Sequence, residues 1–346
     1  MSKMLEEIRE QPQALERTFR EELGQIKDLK KRVGKARPRL IMLVARGTSD
    51  NAAQFGRYLL EIQTGIPVSL AAPSIFTLYK ADFNFDGVLV IAISQSGEST
   101  DTNLVLERAR SQGAVTIGVT NEAASTLARL AEHVFLVRAH KERSVAATKT
   151  YTGQLMMLYL LAYALGAPLD LDDVARIPGW AAQALSLEDE VRARAERYRF
   201  MVRAIVVGRG LNYSNAFEFA LKLMETCYVV AERFSTADLL HGPIAMIEPS
   251  FPAFLFAPIG VTWPGMSEMI SKMRELRAET LIVTDQANHE AIAMPGRAIT
   301  VPCALEEMYT PIPYIIPAQL FAASLAVEKG LTPDQPRTLN KVTQTL

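Results

Sequence analysis

The chain has 346 residues, 49% of them hydrophobic and 22% charged, and its 37 Lys and Arg against 38 Asp and Glu leave a formal net charge of −1. That length and apolar content supply core for two domains, and a near-neutral balance without a basic block excludes a dedicated nucleic-acid surface. Two well-separated cysteines, Cys227 and Cys303, form neither a metal pair nor a disulfide framework and point to a reducing compartment, the cytoplasm; the charged start and the short apolar run 155–165 offer no signal peptide or membrane span.

In chain order, residues 4–33 have helical composition, with Pro12 dividing a short helix from a longer one that ends near Gly34 and is a candidate to pack on a partner subunit. Residues 39–44 read as a buried strand, Gly47-Thr48-Ser49-Asp50-Asn51 as a turn and cap, and 52–62 as a helix with Phe55, Tyr58, Leu59 and Ile62 inward. Strands follow at 68–71, 88–93 and 115–119; the second stops at Ser94-Gln95-Ser96-Gly97-Glu98-Ser99-Thr100-Asp101-Thr102 and the third at Thr120-Asn121. Strands alternating with helices imply a parallel sheet whose right-handed crossovers gather the carboxyl ends along one edge, where ligands settle. All three polar turns fall on that edge, and a fourth stretch, Ser144 onward in SVAATKTYTGQL, sets small and hydroxyl residues at another helix start.

The second half repeats the first. RAIVVGRGLNYSNAFEFALKLMETC aligns with RLIMLVARGTSDNAAQFGRYLLEIQ, matching Arg209-Gly210 to Arg46-Gly47 and, with one inserted residue, Glu225 to Glu61. The expected fold class is therefore α/β, as two tandem modules that are each a parallel sheet flanked by helices. The expected boundaries are an N-terminal helical segment (1–36), a first module (37–166), an irregular linker (167–192) carrying Pro168, Pro178 and Gly179, a second module (193–332) and a tail (333–346).

A turn that closes a buried strand and opens a helix presents unpaired N–H groups beside the positive end of the helix dipole, which suits a phosphate. Ser94, Ser96, Ser99 and Thr100 add hydroxyl donors, and Gly97 lets the backbone come close. No Lys follows Gly97 and no dinucleotide glycine fingerprint is present, which favours a small phosphorylated metabolite over a nucleotide. For any one such turn, simple helix capping by Ser and Thr explains the composition equally well.

Gly47-Thr48-Ser49, Ser94-Gln95-Ser96-Gly97-Glu98-Ser99, SVAATKTYTGQL, ALKLMETCY, LLHGPIAMIE and the ending PRTLNKVTQTL together resemble the sugar isomerase (SIS) family, and within it the isomerase half of the glucosamine-6-phosphate synthases and the SIS-type glucosamine-6-phosphate deaminases. The resemblance runs from Leu40 to the end of the chain. It implies that Thr48, Ser49, Ser94, Gln95, Ser96 and Ser99 bind a sugar phosphate, with Val145 and Ala147 lining the sugar. Ser99 stands where the synthases usually carry Thr and keeps the hydroxyl; Ala147 stands where they usually carry Ser and loses one.

The same resemblance gives Glu225 the transfer of a proton between C1 and C2, Lys222 a place beside it, His241 ring opening across a homodimer interface, and Lys341 a Schiff base with the open-chain ketose. Such chemistry asks for a desolvated carboxylate. A spacing of three puts Lys222 and Glu225 on one helix face, which by itself describes a surface ion pair equally well. The synthases begin with a glutaminase domain whose N-terminal Cys releases ammonia, whereas this chain begins Met1-Ser2-Lys3, so a glutamine-independent reaction is expected.

The expected activity is aldose-ketose isomerisation of an amino-sugar 6-phosphate coupled to loss or addition of ammonia. Alternatives are a synthase isomerase part fed by a separate glutaminase, a fructosamine-6-phosphate deglycase and a non-catalytic sugar-phosphate sensor; for the last, the N-terminal segment lacks a DNA-binding helix pair. No metal and no cofactor are expected, because His133, His140, His241 and His289 are scattered without ligand spacing.

Overall fold

The computed structural model describes residues 2–33, 37–294 and 298–339. Among the described residues, ten strands form two five-stranded, all-parallel sheets: β1 (Leu40–Val44), β2 (Val68–Leu70), β3 (Val88–Ile93), β4 (Val115–Thr120) and β5 (His133–Leu136) in one, and β6 (Arg203–Val207), β7 (Val230–Phe234), β8 (Pro252–Phe256), β9 (Glu279–Asp285) and β10 (Ala298–Val301) in the other. The first runs β2-β1-β3-β4-β5 and the second β7-β6-β8-β9-β10, the same order twice, as the internal repeat requires. In each, the order reverses between the first and third strands of the module. The crevice there, at the strands' carboxyl ends, is the topological switch point at which doubly wound sheets bind ligands.

The chain divides into two compact units that do not follow chain order. Of the described residues, one comprises Glu10–Glu142 and Lys149–Arg176 with Thr338 and Leu339; the other comprises residues 2–9, Arg143–Thr148 and Ile177–Arg337.

In the unit of the first sheet, β3 is buried along its whole length. Its even-numbered residues Val88, Val90 and Ala92 join Met42, Val44, Val105, Leu106 and Ala109 in one core, as the two-residue period of a strand demands. Phe55 and Leu59 of the helix Thr48–Thr64 are fully buried, but Ile62, expected inward, is 61% exposed. It falls in the last turn of that helix, beyond the sheet's cover. The helix Gln11–Val33 lies on Lys149–Ala164 of its own chain, burying Ala14, Leu15, Ile26 and Leu29, so the apolar face expected to meet a partner subunit is covered internally.

The expected irregular linker is helical, as Leu171–Leu185 and Glu188–Glu196. Pro178 sits inside the first of these, and the buried stripe Val174, Ile177, Ala181 and Ala184 outweighs the hydrogen bond that proline removes. Among the described residues no helix is long and apolar enough to cross a membrane.

Candidate functional site

The turn after β3 is built from its own backbone and hydroxyls. The Ser94 N–H continues the ladder to the Val119 carbonyl at 3.0 Å, and the Gly97 N–H closes the turn on Ser94 Oγ at 3.1 Å. Gly97 has φ +66°, and a Cβ there would lie 2.2 Å from Ser125 Oγ, so both conformation and space require glycine. Its carbonyl accepts from Leu127 N at 2.9 Å and Asn103 Nδ2 at 3.0 Å, fixing the turn from two helices. Ser96 Oγ accepts the Glu98 N–H at 3.2 Å, and the Thr126 N–H and hydroxyl hold the Glu98 carboxyl below its usual range. Ser99 is the N-cap residue of the helix Thr100–Ser111.

The turn after β1 stands beside it because β1 and β3 are neighbours in the sheet. Gly47, at φ +56°, leads into Thr48 and Ser49, which open the helix Thr48–Thr64; Ser49 Oγ accepts from Gln154 Nε2 at 3.0 Å. Arg46 Nε meets Asp101 Oδ2 at 2.5 Å and Ser99 Oγ donates to Asp101 Oδ1 at 3.0 Å, tying the two turns together across the switch point. Thr48, Ser49, Ser94, Gln95, Ser96 and Ser99 are thus gathered where two helix amino termini converge, an arrangement suited to an anion. Gly97→Ala is expected to cost about 1–3 kcal/mol of stability and to weaken binding of inorganic phosphate, read by denaturation and by titration calorimetry.

The equivalent turn of the second sheet is filled. After β8, Gly260 at φ +146° approaches Glu307 so closely that a Cβ would lie 2.3 Å from its Oε2. Thr262, the N-cap residue of the helix Trp263–Glu275, gives its N–H at 3.1 Å and its hydroxyl at 2.7 Å to the same carboxylate. An internal carboxylate thus occupies the donors at the helix start that follows β8. Titration of the whole chain with phosphate is expected to saturate at one equivalent per chain, and two would contradict the reading.

The helix Tyr213–Cys227 carries the charged trio of the second unit. Gly208 permits its entry, since a Cβ there would lie 2.3 Å from the Asn212 carbonyl oxygen, and Asn212 and Asn215 fix it by bonding Thr310 Oγ1 at 2.7 Å and the Pro311 carbonyl at 2.8 Å. Lys222 Nζ contacts Glu225 Oε2 at 2.5 Å and Glu218 Oε1 at 3.3 Å. Lys222 and Glu218 are fully buried, whereas the Glu225 side chain keeps 23% exposure. The pair is therefore no surface ion pair, and the desolvated carboxylate is Glu218, with Glu225 at the accessible end. Burial pushes the Lys222 ammonium down, but the two carboxylates outweigh it and hold its pKa above the ordinary value. Glu61, the repeat counterpart of Glu225, instead spends Oε1 on the Val68 N–H at 2.8 Å.

Val145 and Ala147, both half-buried, belong to the unit of Glu225 and not, as expected, to that of the hydroxyl-rich turns. Their segment is held there by backbone bonds, with Ser144 N donating to Glu7 Oε2 at 3.1 Å and Val145 N to the Asp334 carbonyl at 3.3 Å. His241 caps the short helix Thr236–Leu240 in the same unit and is exposed. Lys341 lies outside the described residues. Glu218 escaped the sequence reading, although 218, 222 and 225 follow the i, i+4, i+7 pattern of one helix face. Arg46 and Asp101 escaped it too, because a tie across 55 residues has no local signal.

The SIS domain pattern matches residues 36–164 and 201–329, one match to each sheet-bearing repeat. This chain belongs to the SIS domain family. The SIS chain is 36% identical over 341 residues to a glutamine–fructose-6-phosphate aminotransferase [isomerizing] of Methanothermobacter thermautotrophicus, covering 98% of itself and 56% of that protein. It spans a little over half the length of the curated relatives it matches. The solved C-terminal domain of glucosamine-fructose-6-phosphate aminotransferase from Francisella tularensis superposes with TM-score 0.87 at 27% identity, covering 97% of this chain and 98% of that one. Glucosamine-6-phosphate deaminase from Thermotoga maritima superposes with TM-score 0.80 at 20% identity, covering 99% and 100%, a likeness of fold.

Proposed function

We propose that this SIS chain is a sugar-phosphate isomerase that interconverts glucosamine 6-phosphate with fructose 6-phosphate and ammonia. The 94–99 turn, with Thr48 and Ser49, takes the phosphate through N–H and hydroxyl donors. Val145 and Ala147 line the sugar, and Glu225 removes the proton from C2 and returns it to C1, producing the ketose imine that water hydrolyses to ketose and ammonia. Lys222 holds Glu225 by one oxygen and supplies positive charge beside it. Lys341 forms the imine with a ketose substrate in the reverse sense.

The observation that carries this reading is the Glu218–Lys222–Glu225 trio. A fully buried lysine shared between two carboxylates is an expensive arrangement for stability alone, and its one accessible member is the carboxylate the reaction needs. Incubating purified protein with glucosamine 6-phosphate should yield ammonia and fructose 6-phosphate in equal amounts. Absence of both would remove the proposal. The extended match to the aminotransferase of M. thermautotrophicus favours a second reading, the isomerase part of such an enzyme supplied with ammonia by a separate glutaminase; amination of fructose 6-phosphate stimulated by a partner would distinguish it.

A homodimer with His241 offered to the neighbouring subunit for ring opening belongs to the same proposal. His241 is exposed between Leu240 and Met246, themselves 53% and 40% exposed, an apolar tip suited to being covered. Sedimentation at twice the chain mass is expected; a monomer that turns over normally would contradict it. We assign the protein to the cytoplasm, which suits the buried free thiols Cys227 and Cys303, each pushed up to about 11 by burial.

A further inference from the structure

The segment Arg143–Thr148 contains no helix or strand, so its N–H groups must find partners elsewhere in its unit. They find the two ends of the chain. Arg143 N and Ser144 N both donate to the carboxylate of Glu7, which is 3% exposed in the middle of the helix Lys3–Arg9. Val145 N donates to the carbonyl of Asp334.

Asp334 closes the circuit. Its carboxylate accepts from Ser2 Oγ at 2.7 Å and from Lys3 N and Met4 N at 2.9 Å each, satisfying the amino terminus of the very helix that carries Glu7. A helix of seven residues does not hold itself in water, so this cap, made by a residue 331 positions from Lys3, anchors it. Three residues on, Arg337 N donates to Tyr228 Oη at 2.8 Å, and its guanidinium lies 3.9 Å over the Tyr228 ring. Tyr228 is the C-cap of the helix bearing Lys222 and Glu225. The strap 334–337 therefore joins the irregular segment to the end of the helix that carries the charged trio.

We propose that Glu7 and Asp334 are positioning residues that set the height and register of Val145 and Ala147 for the sugar ring, making the N-terminal helix a working part of sugar recognition. This rests on the isomerase reading above. The Glu7 carboxylate holds the amides of Arg143 and Ser144 next to Val145, the Asp334 carbonyl holds the amide of Val145, and the Asp334 carboxylate anchors the helix that carries Glu7, so weakening these bonds moves the lining while the hydroxyl-rich turn and the Lys222–Glu225 pair keep their own supports.

Glu7→Gln and Asp334→Asn conserve shape and remove the charge that makes these bonds strong. Each is expected to raise KM for glucosamine 6-phosphate roughly tenfold, with kcat and the Kd for inorganic phosphate near wild type, and to speed hydrogen exchange at the amides of Arg143, Ser144 and Val145 selectively. Unchanged KM and unchanged exchange in either folded variant would overturn the proposal, as would kcat, KM and phosphate affinity failing together. If Asp334→Asn does not fold, Glu7→Gln decides the matter alone. The exchange measurement needs no turnover, so the clamp remains testable if wild-type protein binds phosphate but leaves amino sugars unchanged, which would instead sink the isomerase reading.

Discussion

Glu225→Gln is expected to lower kcat on glucosamine 6-phosphate by about 10²–10⁴-fold, the usual contribution of a positioned general base, with KM and phosphate affinity close to wild type. The amide is isosteric and still accepts from Lys222 Nζ, which sits 2.5 Å from Glu225 Oε2, so the helix Tyr213–Cys227 keeps its packing while the proton carrier is lost. Steady-state assay of fructose 6-phosphate release checks it. A fall in phosphate affinity of comparable size would mean that the substitution had damaged the fold and not the chemistry.

The second large effect concerns stability. Lys222→Met is expected to destabilise the protein by about 3–5 kcal/mol, because it leaves the buried Glu218 carboxylate without its counter-charge. Adding Glu218→Leu should restore most of that loss, since an apolar pair of similar volume no longer pays the desolvation of either ion; denaturant unfolding of both variants measures the difference. The pH dependence has a definite sign. With the Lys222 pKa raised in the folded state, the stabilisation is fully present below the ordinary lysine value of about 10.4 and is lost only as pH rises through the folded one. In the wild type the contribution of the Lys222 charge is therefore expected to stay constant across the neutral range and to be lost only in strong alkali, as read by denaturant unfolding at a series of pH values.

Hydrophobic runs and turn chemistry made the sheets legible. The run 88–93 reads as a buried strand and is β3 residue for residue, and the hydroxyl-rich stretch after it lies at the switch point where such a turn can meet a ligand. The internal repeat, visible as Arg46-Gly47 and Arg209-Gly210, reappears as one strand order used twice. Local pattern could not reveal the partners of irregular backbone. The segment 143–148 looks from composition like the cap of the helix that follows, yet Glu7 and Asp334, distant in sequence, draw it into the other unit. Pro178 suggested a break where tertiary burial of Ile177 and Ala181 holds a helix.

Lys222 and Glu225 show the same limit in energetic form. Spacing placed them on one face, but burial decides whether such a pair is a screened surface contact or a coupled buried site, and burial comes from tertiary packing, here of the helix Pro311–Glu328 on the helix Tyr213–Cys227. The two repeats diverge by the same logic. The first spends Glu61 on a backbone amide; the second fills the donors after β8 with Glu307 and keeps Glu225 accessible. Under the proposed function, anion binding falls to the first copy of the design and proton transfer to the second.

Exchange of the sugar's carbon-bound hydrogen with solvent tests this most directly. Glucosamine 6-phosphate incubated with the protein in deuterium oxide and followed by NMR is expected to lose its C2 proton and to give fructose 6-phosphate carrying deuterium at C1, with Glu225→Gln nearly silent. Exchange that proceeds undiminished in Glu225→Gln, or a wild-type protein that binds the sugar phosphate and never exchanges that hydrogen, would contradict it.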